Sequence, residues 1–333
     1  MLDLVRKICT AHGVSGYEKK AADVIRAEIE KYTDENYTDN LGNLIAIKKG
    51  SGNGKKIMLC AHMDEIGFMV TFIEEKGQIR ISPVGGVGLS SISYGLVLSE
   101  NGVRGVVVPN AQTKPTDYTS DNFYIDIGAK SRKEAEKKVK IGDVFRFDTG
   151  ITRLMGGRIC GHPLDDRIGC VVLLKVAEAL ASEDIKDDIY YVFSVQEEVG
   201  CRGSKTASFA VAPDIALAYD VTGTGDTPGS SPMACALGDG AAIKIKDSSV
   251  ICDPTLVDEL ISTAKANKIK YQLEILTYGG TDTSSMQMSG AGSRAAAISI
   301  PTRYIHSANE MLDLSDVNAT IELTIEYIKG LNR

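Results

Sequence analysis

The chain lacks any Cys-x-x-Cys pair among its seven cysteines, Cys9, Cys60, Cys160, Cys170, Cys201, Cys235 and Cys252. Their number is odd and their spacing irregular, so neither a disulfide framework nor a thiolate zinc site is indicated, and a reducing, cytoplasmic setting is expected. No stretch approaches the ~20 consecutive apolar residues that a membrane-crossing helix requires. The first residues carry an acid, Asp3, with no long apolar core behind it. Neither a signal peptide nor a membrane partner is therefore expected. A basic stripe is missing too: the 37 lysines and arginines are dispersed against 44 acids, the net charge is -7, and nucleic acid is not expected as a partner. What is left is an ordinary globular composition, 43% hydrophobic and 24% charged over 333 residues, enough for one large domain or two.

The pattern along the chain predicts an α/β fold with a mostly parallel central sheet flanked by helices, interrupted by a small β-barrel-like domain. Helices are expected over 2–10 and 18–31, the second capped by Ser15, with His12 in the connector as a structural residue. Strands follow at 44–47 and 57–61, the latter apolar without alternation, as in a strand buried on both faces. From Phe68 to Arg158 short, partly alternating segments separated by glycines indicate a β-rich insertion. The charged run 131–140 inside it reads as a solvated helical face. The expected division is 1–67, 68–158 and 159–333, the outer two parts forming one α/β domain. Past Gly161 come a helix at 171–180, strands at 190–195, 214–219 and 295–300, and a closing helix at 317–331.

Charged side chains gather at the ends of these strands. Tyr190-Tyr191-Val192-Phe193-Ser194-Val195 runs into Gln196-Glu197-Glu198-Val199-Gly200, and two adjacent acids at a buried strand end repel each other unless a positive charge sits beside them. A solvated pair of glutamates is the plain alternative. His62 and Asp64 close the strand at 57–61, and in His-x-Asp the carboxylate can orient the imidazole for a metal. Asp165 and Asp166 open a helix, where capping alone would also suit them. Asp220 ends a strand, and His306 follows the last one. In an open parallel sheet such loops converge on one crevice. Two histidines and four carboxylates are a nitrogen and oxygen set suited to zinc, cobalt or manganese, sufficient for two ions when one carboxylate is shared. Of Glu197 and Glu198, one would then bind metal and the other act as general base.

Six blocks carry a resemblance over nearly the whole chain. Ala61-His62-Met63-Asp64-Glu65-Ile66-Gly67-Phe68-Met69-Val70, Leu164-Asp165-Asp166-Arg167, Gln196-Glu197-Glu198-Val199-Gly200, Tyr219-Asp220, Gly279-Gly280-Thr281-Asp282 and Ile300-Pro301-Thr302-Arg303-Tyr304-Ile305-His306-Ser307 resemble the glutamyl-aminopeptidase-like, tetrahedral family of dinuclear metallo-aminopeptidases. The resemblance implies two divalent ions per subunit, zinc or cobalt with manganese as a further option. Asp165 would bridge them, His62 and Asp220 would complete one, and Glu198 and His306 the other. Glu197 would be the base and Asp64 the support of His62. It further implies that the inserted β domain serves assembly into a large homo-oligomer, dimer or dodecamer. Two positions depart from the family pattern: His12 stands where proline is expected, and His162-Pro163 where a small residue is more usual.

The expected activity is removal of the N-terminal residue from short peptides by a metal-activated water, with Glu197 passing the proton to the leaving amine. Asp282 is expected either to line the substrate pocket or to be a turn acid. His162, three residues before Asp165, is expected to touch substrate or to be structural. A metal-dependent deacylase or deacetylase would use the same site. A glycosidase needs no histidines and sets its acids about 5–9.5 Å apart across the bond, and a noncatalytic assembly protein would have no use for a full ligand set.

Overall fold

Apolar runs without polar alternation become the middle of one sheet, because strands covered by helices on both faces have no solvent side. The structure, a computed structural model, describes residues 1–52 and 54–331. Helices α1 (Leu2–Thr10) and α2 (Lys19–Ile29) lead into β1 (Glu35–Thr38), β2 (Leu44–Lys48) and β3 (Lys56–His62). Next come β4 (Gly67–Ile73), β5 (Ile79–Val84), β6 (Leu96–Ser99), β7 (Arg104–Pro109), β8 (Phe123–Asp126), the one-turn helix α3 (Arg132–Ala135) and β9 (Val144–Phe147). The chain continues with β10 (Thr152–Arg153), β11 (Arg158–Gly161), α4 (Arg167–Leu180), β12 (Asp188–Ser194), α5 (Arg202–Val211), β13 (Ile215–Thr222) and β14 (Ala241–Lys246). It ends with α6 (Pro254–Asn267), β15 (Tyr271–Ile275), α7 (Thr283–Gln287), β16 (Arg294–Arg303), β17 (Glu310–Asp313) and α8 (Leu314–Leu331).

The expected parallel core is present as the neighbouring strands β12-β3-β13-β16, all running the same way. Antiparallel strands extend it on both sides, β2 and β1 beyond β12 and β17, β11 and β10 beyond β16, so the sheet as a whole is mixed. Helices α1, α2, α4, α6 and α8 cover one face, and α5 and α7 the other. Strands β4 to β9 close on themselves as an antiparallel barrel in the order β4-β5-β8-β7-β6-β9, with its own core around Phe68, Phe123, Phe145 and Phe147. Closure leaves no free sheet edge. The barrel strands span 67–147, and the chain is back in the large sheet by Thr152, ahead of the change of texture expected at 158.

Two local expectations need correction. Ser15 does not cap α2: the helix starts after Glu18 without a side-chain cap, and the Ser15 hydroxyl instead donates to Asp64 Oδ2 at 2.6 Å, a buried carboxylate in greater need of a donor. The run 131–140 is one helical turn capped by Ser131, and Ala135 and Val139 anchor it in the barrel core, so only part of it is a solvated face.

The start of α4 is tied to the rest by Arg167, which is fully buried. Its guanidinium donates to the carbonyls of Met63 (2.6 Å), Ile8 (2.8 Å) and Ala11 (3.0 Å), and lies 3.4 Å from Glu65 Oε1. Gly13 leaves room for it, since a Cβ there would stand 2.3 Å from Arg167 Nη2. Arg167→Met would leave three carbonyls and a buried carboxylate without this partner and should cost about 3–5 kcal/mol. Urea denaturation measures it, and a loss under about 1 kcal/mol would show that the network is not a stability determinant.

Candidate metal centre

Register explains why the acids and histidines meet. Cys60 on β3 lies beside Val192 on β12 and Ala218 on β13. Two residues further along β3 and β13 are His62 and Asp220, which the two-residue side-chain period puts on the same face. β13 continues to Thr222, so Asp220 is inside the strand rather than at its end. Glu197 and Glu198 follow β12 directly, through Gln196 at φ 55°. His306, at φ 62°, sits in the turn between β16 and β17, and Asp165 lies in the turn before α4.

Asp165 is the centre of this group. Its Oδ1 lies 3.1 Å from His62 Nε2, and its Oδ2 lies 3.4 Å from His306 Nε2. On the first side Asp220 Oδ1 is 3.9 Å and Glu197 Oε2 4.0 Å from His62 Nε2. On the second side Glu198 Oε2 is 3.1 Å from His306 Nε2. The two glutamates thus diverge, each toward a different histidine. Asp166 takes the capping role, accepting from Gly169 N at 3.0 Å. His62, Asp165, Glu197, Glu198, Asp220 and His306 all line a single cavity of about 710 Å³.

Asp64 anchors the arrangement from behind. It is fully buried, its Oδ1 accepts from Glu197 N (3.0 Å), and its Oδ2 accepts from Glu198 N (3.2 Å). The same Oδ1 stands 3.4 Å from His62 Nδ1, and its main-chain oxygen is 3.2 Å from that nitrogen. Burial alone would raise this carboxyl, yet His62 and the Ser15 hydroxyl hold it below its ordinary value. Glu197 goes the other way: burial, opposed by His62 and reinforced by Asp220, lifts it well above the usual range. Burial works against charged imidazoles, but Asp165 with Asp64 holds His62 well above its ordinary value, and Asp165 with Glu198 pushes His306 up to about 12. Glu198 Oε1 is buried without a hydrogen-bond partner, as expected for a ligand atom whose cation is not among the protein's own groups.

Asp282 and His162 are not among the residues that line the cavity. Asp282 is 3% exposed and its carboxylate accepts from the hydroxyls of Ser194 (2.5 Å) and Ser204, which makes it a backing acid, neither a pocket wall nor an exposed turn acid. His162 is 1% exposed, with Nε2 3.4 Å from Glu65 Oε2, Nδ1 3.7 Å from Glu310 Oε2 and its ring edge-on to Phe147 at 4.9 Å. Its surroundings are protein on every side named. His12 is likewise buried, with no hydrogen-bond partner on either ring nitrogen.

Sequence reasoning missed four contributors. Glu310, fully buried, accepts from Leu164 N (2.6 Å) and Asp165 N (3.0 Å) with one oxygen and from His306 N (3.2 Å) with the other. Its only signal was an acid directly before the apolar pair Met311-Leu312. Arg146, on barrel strand β9, pairs with Glu65 at 3.1 Å and donates to the Cys9 and Thr10 carbonyls. Gly86, in the loop after β5, reaches the centre itself: a Cβ there would lie 2.8 Å from His306 Nδ1. Cys201 also lines the cavity, its thiol donating to Glu197 Oε1 at 3.2 Å.

Comparison with known proteins decides the family. The sequence profile of the M42 glutamyl aminopeptidase family matches residues 42–323. The chain belongs to that family. It is 36% identical over 342 residues to the lysyl aminopeptidase of Pyrococcus furiosus, covering 99% of this chain and 97% of the relative. Among solved structures, an aminopeptidase of the archaeon Desulfurococcus kamchatkensis superposes with a TM-score of 0.94 at 37% identity, over 98% of this chain and 94% of that one. The TET1 peptidase of Pyrococcus horikoshii, which can assemble into a tetrahedron or a large octahedral shell, is 32% identical with a TM-score of 0.87, covering 98% of both chains. This M42 protein is a peptidase, with the mixed α/β sheet and barrel of those structures.

The buried supports of this M42 peptidase make two predictions. Glu310→Ala leaves the buried N–H donors of Leu164 and Asp165 and the part-buried one of His306 unpaired, a buried donor being worth about 1–3 kcal/mol, and should lower both the unfolding free energy and the affinity for added zinc measured by calorimetry. An unchanged zinc affinity would show that Glu310 does not position Asp165 and His306. The second concerns pH. Burial disfavours charged Glu65, but Arg146, His162 and Arg167 bring it down to about 2 from an ordinary 4.5, so its contribution to stability is complete above 4.5 and lost as pH falls through about 2. Burial also disfavours charged His162, but Glu310 and Glu65 push it up to about 9 from 6.5, so its contribution is complete below 6.5 and lost as pH rises through about 9. The two overlap between 4.5 and 6.5. Unfolding free energies measured across pH should show that plateau, and His162→Gln should flatten the alkaline side. An unaltered alkaline slope in the variant would refute the assignment.

Proposed function

We propose that this peptidase is a metallo-aminopeptidase that removes the first residue of short peptides at a two-ion site. His62 and Asp220 would hold one divalent cation, Glu198 and His306 the other, with Asp165 shared between them. The observation that carries this reading is the split of Asp165, one oxygen toward His62 and the other toward His306. The unpartnered Glu198 Oε1 and the all-nitrogen-and-oxygen donor set fit zinc, cobalt or manganese. Bound there, such ions would polarise the scissile carbonyl and acidify a water.

The chain's own groups would do the rest. Glu197, which lines the cavity and lies 4.0 Å from His62, would take the proton of the attacking water and deliver it to the leaving amine. Its other oxygen is oriented by the Cys201 thiol. Asp64 would keep Glu197 and Glu198 at their separate tasks by holding both backbone N–H groups. The free α-ammonium of a peptide is the substrate group that an acidic cavity of this kind attracts. A glycosidase reading has little support, because the adjacent glutamates diverge toward two histidines instead of facing each other across a bond.

A homo-oligomeric assembly and a cytoplasmic setting belong to the same proposal. Exposed Met155, Phe209 and Met288 provide apolar surface that neighbouring subunits would cover, and all seven cysteines are free thiols. No helix among the described residues is long and apolar enough to cross a membrane.

Zinc-supplied protein should hydrolyse leucine amide and leave N-acetyl-leucine amide intact, and chelation should abolish turnover. Glu197→Gln should retain the metal measured by elemental analysis while losing about 10²–10⁴-fold in kcat. Near wild-type turnover in that variant would remove Glu197 as the base. Cleavage confined to the acetylated substrate would make the protein a deacylase.

A further inference from the structure

Beyond the proposed metal ligands and Glu197, the cavity has one charged wall residue among those described, Arg303. Its charge is already committed: Nε and Nη2 donate to the two oxygens of Asp226 at 2.9 and 2.7 Å, a bidentate pair that cancels the guanidinium. Burial opposes the charged form of Asp226, yet Arg303 holds it well below the carboxylate range, so the pair stays ionised and neutral in sum. A second cation, Lys244, is fully buried outside the lining and is bound to Glu274, with Asp247 Oδ2 3.6 Å away. Thr222 stands between that cluster and the cavity, its hydroxyl donating to Glu274 Oε1 at 2.8 Å.

The remaining wall is uncharged, made mainly of glycines and threonines with an apolar and aromatic part at Val221, Leu276 and Tyr278. Val221 and Leu276 are each 7% exposed to solvent and both line the cavity. Tyr278 lies across from Gly223, where a Cβ would meet its hydroxyl at 3.0 Å, so the ring forms a side of the cavity while remaining 63% exposed at its rim. A glutamate side chain entering here meets no free cation, and a lysine side chain meets no carboxylate outside those assigned to the centre. Either would lose water without gaining a partner, whereas an apolar side chain gains by the same transfer.

We propose that this neutral wall selects peptides whose first residue carries an uncharged, apolar side chain of leucine or methionine size. The inference rests on the aminopeptidase reading and names the substrate class within it. Val221, Leu276 and Tyr278 are its specificity-determining residues, and the Arg303–Asp226 pair is the device that keeps a cation out of the pocket.

The test is kcat/KM of the zinc-supplied protein on free-amine amides of Leu, Met, Glu and Lys. Leu and Met should exceed Glu and Lys by about tenfold or more, the scale on which apolar pockets discriminate. Two variants probe the cause. Asp226→Asn frees the charge of Arg303, and Tyr278→Arg adds one at an exposed position where folding is not at stake. Each should raise the Glu-to-Leu ratio by about tenfold. Glu or Lys cleaved as fast as Leu by the unaltered protein overturns the inference while leaving the aminopeptidase standing, and a Lys preference would direct attention to Glu274. Ratios unmoved in both variants also overturn it. Silence on all four free-amine substrates overturns the aminopeptidase reading and this inference with it.

Discussion

One buried carboxylate sets the geometry on which the rest depends. Asp64 has no exposed surface, and a charge in that position is tolerated only when every lone pair finds a donor. The donors come from two separate parts of the chain, the Ser15 hydroxyl from the loop before α2 and the Glu197 and Glu198 amides from the turn after β12, while the imidazole of His62 at the end of β3 lies 3.4 Å from Oδ1. Two successive amides can converge on one acceptor only if the backbone turns sharply, and Gln196 turns it by adopting a left-handed conformation. Strain of that sort persists where the surroundings over-determine it. Here they do so by making the acidic pair and the first histidine parts of one hydrogen-bonded unit.

A second layer does the same for the other half of the centre. Glu310 holds the amides of Asp165 and His306, so the shared carboxylate and the second histidine are fixed relative to each other through one side chain. Behind it Glu65, Arg146, His162 and Arg167 form a closed ionic cluster in which each charge faces an opposite one. Buried networks of this kind are costly when incomplete and rigid when complete. The barrel takes part in both layers, through Arg146 on β9 and through Gly86 against His306. The insertion is thus built into the site as well as attached to the sheet.

The cavity walls show a different economy. Around the proposed ions every carboxylate is unspent or paired with an imidazole, whereas Arg303 in the wall and Lys244 outside the lining are each matched by an acid. Charge is concentrated where chemistry needs it and cancelled where a side chain would be recognised. Electrostatic selection by the walls then reduces to the absence of a partner, which rejects charged groups without attracting any one of them.

The sequence by itself carried the fold class, the parallel run of strands and the residues that gather at their ends, because each of these follows from local pattern. Unalternated apolar segments must be buried on both faces, and acids that interrupt them at one end must share a crevice. Which oxygen faces which histidine was not legible, since that depends on strand register and on backbone turns at Gln196 and His306. The roles of Asp282 and His162 stayed open between pocket and structure for the same reason: distance along the chain from a motif says nothing about the face on which a side chain emerges. Glu310, Arg146 and Gly86 lay beyond sequence reasoning because most of their partners are distant in the chain, and a buried acid looks like any other until the amides it satisfies are brought to it. Periodicity determines what must be hidden from water. Only the closed tertiary structure decides which hidden charges answer one another, because electrostatic pairing acts through space at a few ångströms while pattern acts along the chain.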